Sequence, residues 1–281
     1  MNPKVHIIVP VRNRCEITRT FITCLKKQTY QNYHLIIIDD ASTDNTIKMV
    51  MKEIPMDNRT IIHGNGKLWW AGALQKAYDL INHNDVSHND IVLITNDDIW
   101  FDPSFLETGI SLLKDKIKTI YFAKNYSMQT GKPMDLEVHV DWMKLSFDPM
   151  PSEPINCVCG TGLFLNICDY LGIGGMHPIL IPHYLSDYEY SIRACNMGMR
   201  ILTHPSLKLM RNEETTGYDY KSTYPITSLK RMLSPKAPYN PIYWTTFILI
   251  ACPYKYKLSS LYKVWVVRTF KGIKYILRGL K

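Results

Sequence analysis

No zinc-type pair of CxxC spacings occurs among the seven cysteines, Cys15, Cys24, Cys157, Cys159, Cys168, Cys195 and Cys252. Their odd number and scatter argue against a disulfide framework and for a reduced compartment. Met1 to Val11 holds a short apolar run, VHIIVPV, without a long apolar h-region or a small-residue cleavage site. It is expected to be a strand rather than a signal, and the chain is expected to stay in the cytosol. Neither GxGxxG nor GxxxxGKS/T occurs in the first hundred residues, so the usual dinucleotide and P-loop readings lose support. Repeats and low-complexity tracts are lacking too. The apolar run Ile242 to Cys252 is about half the roughly 20 residues that a bilayer span needs.

What is present fits a folded domain. The 281 residues, 46% of them hydrophobic, suffice for one large domain, or one domain and an appendage. A balance of 33 Lys+Arg against 25 Asp+Glu points to polyanionic partners: phosphates, anionic lipid or nucleic acid. Short β-branched runs at Val5–Val9, Leu35–Ile38 and Ile91–Ile94 alternate with helical patterns, the βαβ rhythm of an α/β fold with a mostly parallel central sheet flanked by helices. Ligands of such sheets bind beyond the carboxyl ends of the strands. Those ends read Pro10-Val11-Arg12-Asn13-Arg14, Asp39-Asp40-Ala41-Ser42 and Thr95-Asn96-Asp97-Asp98, and two of the three are acidic. Acidic strand ends suit a metal, or a ribose and base edge, better than a bare phosphate.

Residues 120 to 160 look irregular and rich in turn formers. Ser186 to Gly198 reads as a helix with a capping box from Ser186 to Glu189 and a glycine stop, and Glu189 and Arg193 stand four apart as an ion pair would. Arg200–Thr203 reads as a strand leading to His204. Beyond about residue 230, prolines surround the apolar run, and Lys255 to Lys281 interleaves Lys and Arg with aromatic and aliphatic residues. That mixture suits a helical extension lying in a membrane interface.

Five strings in order, VHIIVPVRNR, LIIIDDASTDNT, GNGKLWWAGALQKAY, ITNDDIWFDPSF and SDYEYSIRA, resemble family 2 glycosyltransferases of the GT-A fold, over roughly residues 4 to 220. The LWWAGA segment is similar to bacterial enzymes that build surface polysaccharides. The resemblance implies a nucleotide-diphosphate sugar donor, a UDP- or dTDP-sugar, and inverting transfer to a lipid-linked glycan with Mn²⁺ or Mg²⁺ as cofactor. It places the nucleotide-sugar half at about 1–103 and the acceptor half at about 104–230, while the tail's basic aromatic composition makes 231–281 a membrane-associating helical region, expected on the inner face of the cell membrane. Asp98 corresponds to the metal-binding aspartate, with Asn96 and Asp97 beside it. Pro10, Val11, Arg12, Asp39, Asp40, Gly66, Lys67 and Arg211 correspond to donor contacts. Asp187 corresponds to the general base, although Ser186 stands where relatives have a glutamate.

Each assignment has a plainer alternative. Asp40 with Ser42 can shape a turn, Asp97 and Asp98 can start one, and an acid at Asp187 is favoured by the helix dipole regardless of catalysis. Trp69 and Trp70 can stack on a sugar or pack on the sheet. His183 and His204 are lone histidines, more often structural than ligating. Two other functions compete: a nucleotidyltransferase, disfavoured by the missing triphosphate grip, and a nucleic-acid-binding protein, disfavoured because no nucleic-acid motif accompanies the basic tail.

Overall fold

The structure, a computed structural model, describes residues 2–134, 137–149, 153–212, 214, 233–235, 237 and 240–268. Four apolar runs form the parallel half of the sheet: β1 (Val5–Val11), β2 (Tyr33–Asp39), β3 (Arg59–His63) and β4 (Ile91–Ile94). The helices between them are α1 (Cys15–Lys26), α2 (Thr46–Glu53) and α3 (Trp69–His83). β5 (Ile99–Trp100), α4 (Phe105–Leu113), β6 (Thr119–Ser127), a small hairpin of β7 (His139–Asp141) and β8 (Ser146–Asp148), β9 (Leu163–Asn166) and α5 (Ile167–Ile173) follow. α6 (Ser186–Asn196) and β10 (Arg200–Arg211) come next, then α7 (Pro241–Ala251) and α8 (Tyr254–Tyr262).

The large sheet has the order β3-β2-β1-β4-β9-β6-β10-β5. β9 runs antiparallel to β4 and β6, while β10 is parallel to β6. Alternation within β1 explains its two-sided burial. Val5, Ile7 and Val9 join a cluster with Phe21, Leu25 and Phe105 of α1 and α4, whereas Ile8 joins one with Ala73, Ala77 and Tyr190 of α3 and α6. Each of the Val, Ile, Leu and Phe side chains among them contributes about 1.5–3 kcal/mol by leaving water.

Two expectations are corrected. The stretch predicted as irregular from residue 120 opens with β6, a central strand, because Ile120, Phe122 and Ala123 are fully buried between its neighbours. The capping box of α6 does not form. Leu185 takes a left-handed conformation (φ 73°), so Ser186 is already helical, and its hydroxyl turns back to the carbonyl of His183 at 2.5 Å. Glu189 instead binds Arg193, at 2.9 and 3.1 Å, as the four-residue spacing predicts.

α7 opens on Pro241 behind an Asn240 cap whose side chain accepts from the Ile242 N–H at 3.0 Å. Its Trp244, Phe247 and Ile248 are buried with Val138, Trp142, Leu185 and Ile192 in a third cluster. Among the described residues no helix is long and apolar enough to cross a membrane.

Candidate active site

The register aligns the carboxyl ends of β1 and β2, with Val11 opposite Asp39, and the backbone there turns sharply. Asn13, Ala41 and Trp69 have φ of 51°, 59° and 55°, values uncommon outside glycine and costly for a bulky side chain. Such strain persists only where the surroundings fix it, and here carboxylates do so. Asp40 accepts the N–H groups of Gly66 at 2.7 Å and Leu68 at 3.0 Å, tying the loop after β3 across the end of β2. Arg12 closes the same loop, donating to the Gly66 carbonyl at 2.6 Å and standing 3.9 Å from Asp40. Asp39 accepts from the Ser42 N–H at 3.0 Å and lies 3.5 Å from His63. Pro10 is half-buried within β1, Val11 belongs to the core, and Lys67 is exposed at the loop's edge.

Past β4 the chain runs through half-buried Asn96 into Asp97 and Asp98, both buried. Arg14 clamps the pair, its Nε 3.3 Å from Asp97 and its Nη2 donating to Asp98 at 3.1 Å. Thr18 donates to Asp97 at 2.6 Å. Arg211, at the end of β10, stands 4.0 Å from Asp98. Burial pushes the Asp97 carboxyl up to about 6, against the opposing pull of Arg14 and Thr18. Two carboxylates at a strand end are hard oxygen donors of the kind Mn²⁺ and Mg²⁺ take. Among the described residues no group of three or more His, Cys, Asp or Glu could hold an ion. A cation here would therefore draw its remaining ligands from phosphate oxygens and water.

Asp187, in the first turn of α6, accepts the Gly160 N–H at 3.0 Å and that of Tyr188 at 3.0 Å. Two residues beyond Gly160, the Gly162 N–H donates to the carbonyl of Ile94 at 2.9 Å, at the end of β4. The extended chain covers about 3.5 Å per residue, so Asp187 lies no more than about 13 Å from the strand end that leads to Asp98. Gly160 has no room for a side chain: a Cβ would sit 2.6 Å from the Trp70 ring. Trp70 thus packs against the glycine segment. Trp69 faces His183, with ring centroids 6.1 Å apart, and His183 meets Tyr184 at 4.8 Å. Gln75 donates to Asp79 at 2.8 Å on its own helix.

The structure therefore gathers Arg12, Asp39, Asp40 and Gly66 at one corner and Asp97, Asp98 and Arg211 at the next, and it ties Asp187 to the end of β4. His204 is not among them. It lies in the irregular part of β10, seven residues and about 20 Å of strand before Arg211, and its Nδ1 accepts from the Ser206 N–H at 3.2 Å. Arg14 and Thr18 carry no role in the reading of the sequence. Arg14 sits in a strand-end segment, which is a signal, but its partners lie more than 80 residues away.

A mixed sheet flanked by helices, with paired carboxylates at the end of a central strand and a third acid tethered to the same strand end, fits the GT-A fold. The chain belongs to glycosyl transferase family 2, whose profile matches residues 6–167. It is 26% identical over 140 residues to the putative glycosyltransferase EpsH of Bacillus subtilis (strain 168), covering 48% of this chain and 38% of that protein. The alignment thus spans less than half the length of that curated relative. In fold it is similar to the mannosyltransferase PcManGT of Pyrobaculum calidifontis in complex with GDP-Man and Mn²⁺ (TM-score 0.58, 14% identity, 100% of this chain and 74% of that one). It is also similar to S. aureus TarS 1-349 in complex with UDP-GlcNAc (TM-score 0.57, 15% identity, 95% of this chain and 73% of that one).

Proposed function

We propose that this chain moves one sugar, with inversion, from a nucleotide-diphosphate sugar to a hydroxyl of a lipid-linked glycan in surface polysaccharide synthesis. The observation that carries the reading is the tether between Asp187 and the end of β4, which keeps a carboxylate within about 13 Å of the strand end that leads to Asp97 and Asp98. The fold neighbours bound to GDP-Man with Mn²⁺ and to UDP-GlcNAc support the donor class.

Pro10, Val11, Arg12, Asp39 and Asp40 frame the nucleoside, and Asp40 acts largely by holding the Gly66–Lys67 loop in place. Asn96 and Asp97 flank the sugar and diphosphate, and Asp98 is the residue that would hold Mn²⁺ or Mg²⁺. The ion, when bound, neutralises charge growing on the departing nucleoside diphosphate. Arg211, already beside Asp98, adds a guanidinium to the same task. Arg14 pairs with both aspartates, so a cation held by Asp98 would compete with its guanidinium for the same carboxylate oxygens. Asp187 takes the acceptor hydroxyl's proton as its oxygen attacks the anomeric carbon in line, and a single displacement inverts that centre.

Thermal unfolding in the presence of a panel of UDP-, dTDP- and GDP-sugars tests the reading, since a ligand held only by the folded state raises stability with concentration. One donor class is expected to protect with Mn²⁺ or Mg²⁺ and not with chelator, and Asp98→Asn is expected to lose that protection. Asp187→Asn is expected to keep it while transfer falls at least about a hundredfold, as loss of a general base does. Undiminished protection in chelator would refute the metal role of Asp98.

A further inference from the structure

α8 and the turn that follows it present a row of apolar side chains to solvent. Tyr254 is 91% exposed, Leu258 83%, Tyr262 64% and Trp265 50%. Spacings of four, four and three place them on one helical face. The helix is nonetheless firmly seated. Ser260 and Val264 on its other side are buried, Tyr256 and Leu261 pack on the third core cluster, and Trp265 donates its indole N–H to Thr245 at 3.0 Å. Lys255 and Lys257 flank the row on either side. Lys255 lies 4.7 Å from the Tyr256 ring centre, and Lys257 donates to the Leu249 carbonyl at 2.8 Å with two ammonium protons to spare. Leu249 and Ile250, both exposed at the end of α7, extend the apolar surface.

Charge identifies the occupant. The residues after Asp219 include twelve Lys or Arg and no Asp or Glu, whereas the residues up to it hold 21 basic and 25 acidic side chains. The chain's positive character is therefore confined to the segment that carries this face. We propose that the α8 face rests on an anionic phospholipid surface, with Tyr254, Leu258, Tyr262 and Trp265 entering the headgroup layer and Lys255 and Lys257 meeting lipid phosphates. Aromatic residues with amphipathic rings settle at that depth, and lysines reach outward from it. An exposed leucine offers nucleic acid neither a stacking plane nor a hydrogen bond, and two copies of the face would oppose like charges. This inference is independent of the donor site.

Co-sedimentation of the full chain with phosphatidylcholine vesicles, with and without roughly one-third phosphatidylglycerol, tests it at low and high salt. Binding is expected only to the anionic vesicles and to weaken at high salt. The Tyr254→Ser, Leu258→Ser double variant is expected to bind at least about tenfold more weakly, as is Lys255→Glu, Lys257→Glu. Tyr254 and Leu258 are exposed, so the serine pair should melt like wild type and keep its donor protection; it decides the matter if the charge-reversed pair does not fold. Equal binding of wild type and serine variant, or binding to neither vesicle, overturns the proposal. So does self-association or RNA binding that the same substitutions abolish while vesicles are ignored.

Discussion

At Asp97, burial and charge pairing oppose each other directly, and burial prevails, taking the carboxyl from 3.8 to about 6. Because the folded value lies above the unfolded one, the folded chain keeps a proton between about pH 4 and 6 that the unfolded chain has released. The stability tied to Asp97 is full below that interval and is lost as pH rises through 6, an effect of ~3 kcal/mol. Asp97→Asn keeps the shape without the charge. Urea unfolding between pH 4.5 and 7 is expected to show this fall in wild type and a flatter profile in the variant. The acidic strand ends could be read from sequence because strand, turn and acid are neighbours along the chain. Arg14 could not be so assigned, since the contact that gives it meaning is made across the sheet end.

Elements were legible where the apolar pattern is continuous along the chain, as in β1, β2 and β4. β6 escaped because Tyr121, Lys124, Asn125 and Tyr126 dilute its apolar pattern, although its flanking strands bury it regardless. The start of α6 was misjudged for a different reason. Ser186 and Glu189 satisfy the capping spacing, but the left-handed Leu185 shifts the helix start by one residue. That start rests on Gly160, whose N–H holds Asp187 while its bare Cα admits Trp70. Gly160→Ala is expected to displace one or the other, at about 1–3 kcal/mol of overpacking. Transfer should fall about tenfold or more from a misplaced carboxylate, while donor protection, read by thermal shift, persists.

For the whole molecule, the sequence shows a change of composition near residue 230, and α7, beyond that change, packs into the core. α7 is part of the core: Trp244, Phe247 and Ile248 together contribute on the order of 6 kcal/mol, a large part of a domain's usual 5–15. A chain ending at residue 240 is therefore expected to be insoluble or to melt far below the full chain. Calorimetry of that chain and the full one compares them directly. Periodicity could not reveal this, because α7 is apolar around most of its circumference and reads alike for a core helix and a surface one.

Tyr188, next to Asp187, stacks on Phe147, which meets Trp244 of α7, and α7 in turn abuts α8. One helix, about 10 Å across, thus stands between α6, which carries Asp187, and the exposed α8 face. If α8 rests on lipid and Asp187 takes the acceptor proton, as proposed above, that spacer would set the altitude of the reaction above the bilayer. Acceptors would then be sorted by how high their reactive hydroxyl rises from its anchor, before the identity of any sugar is sensed.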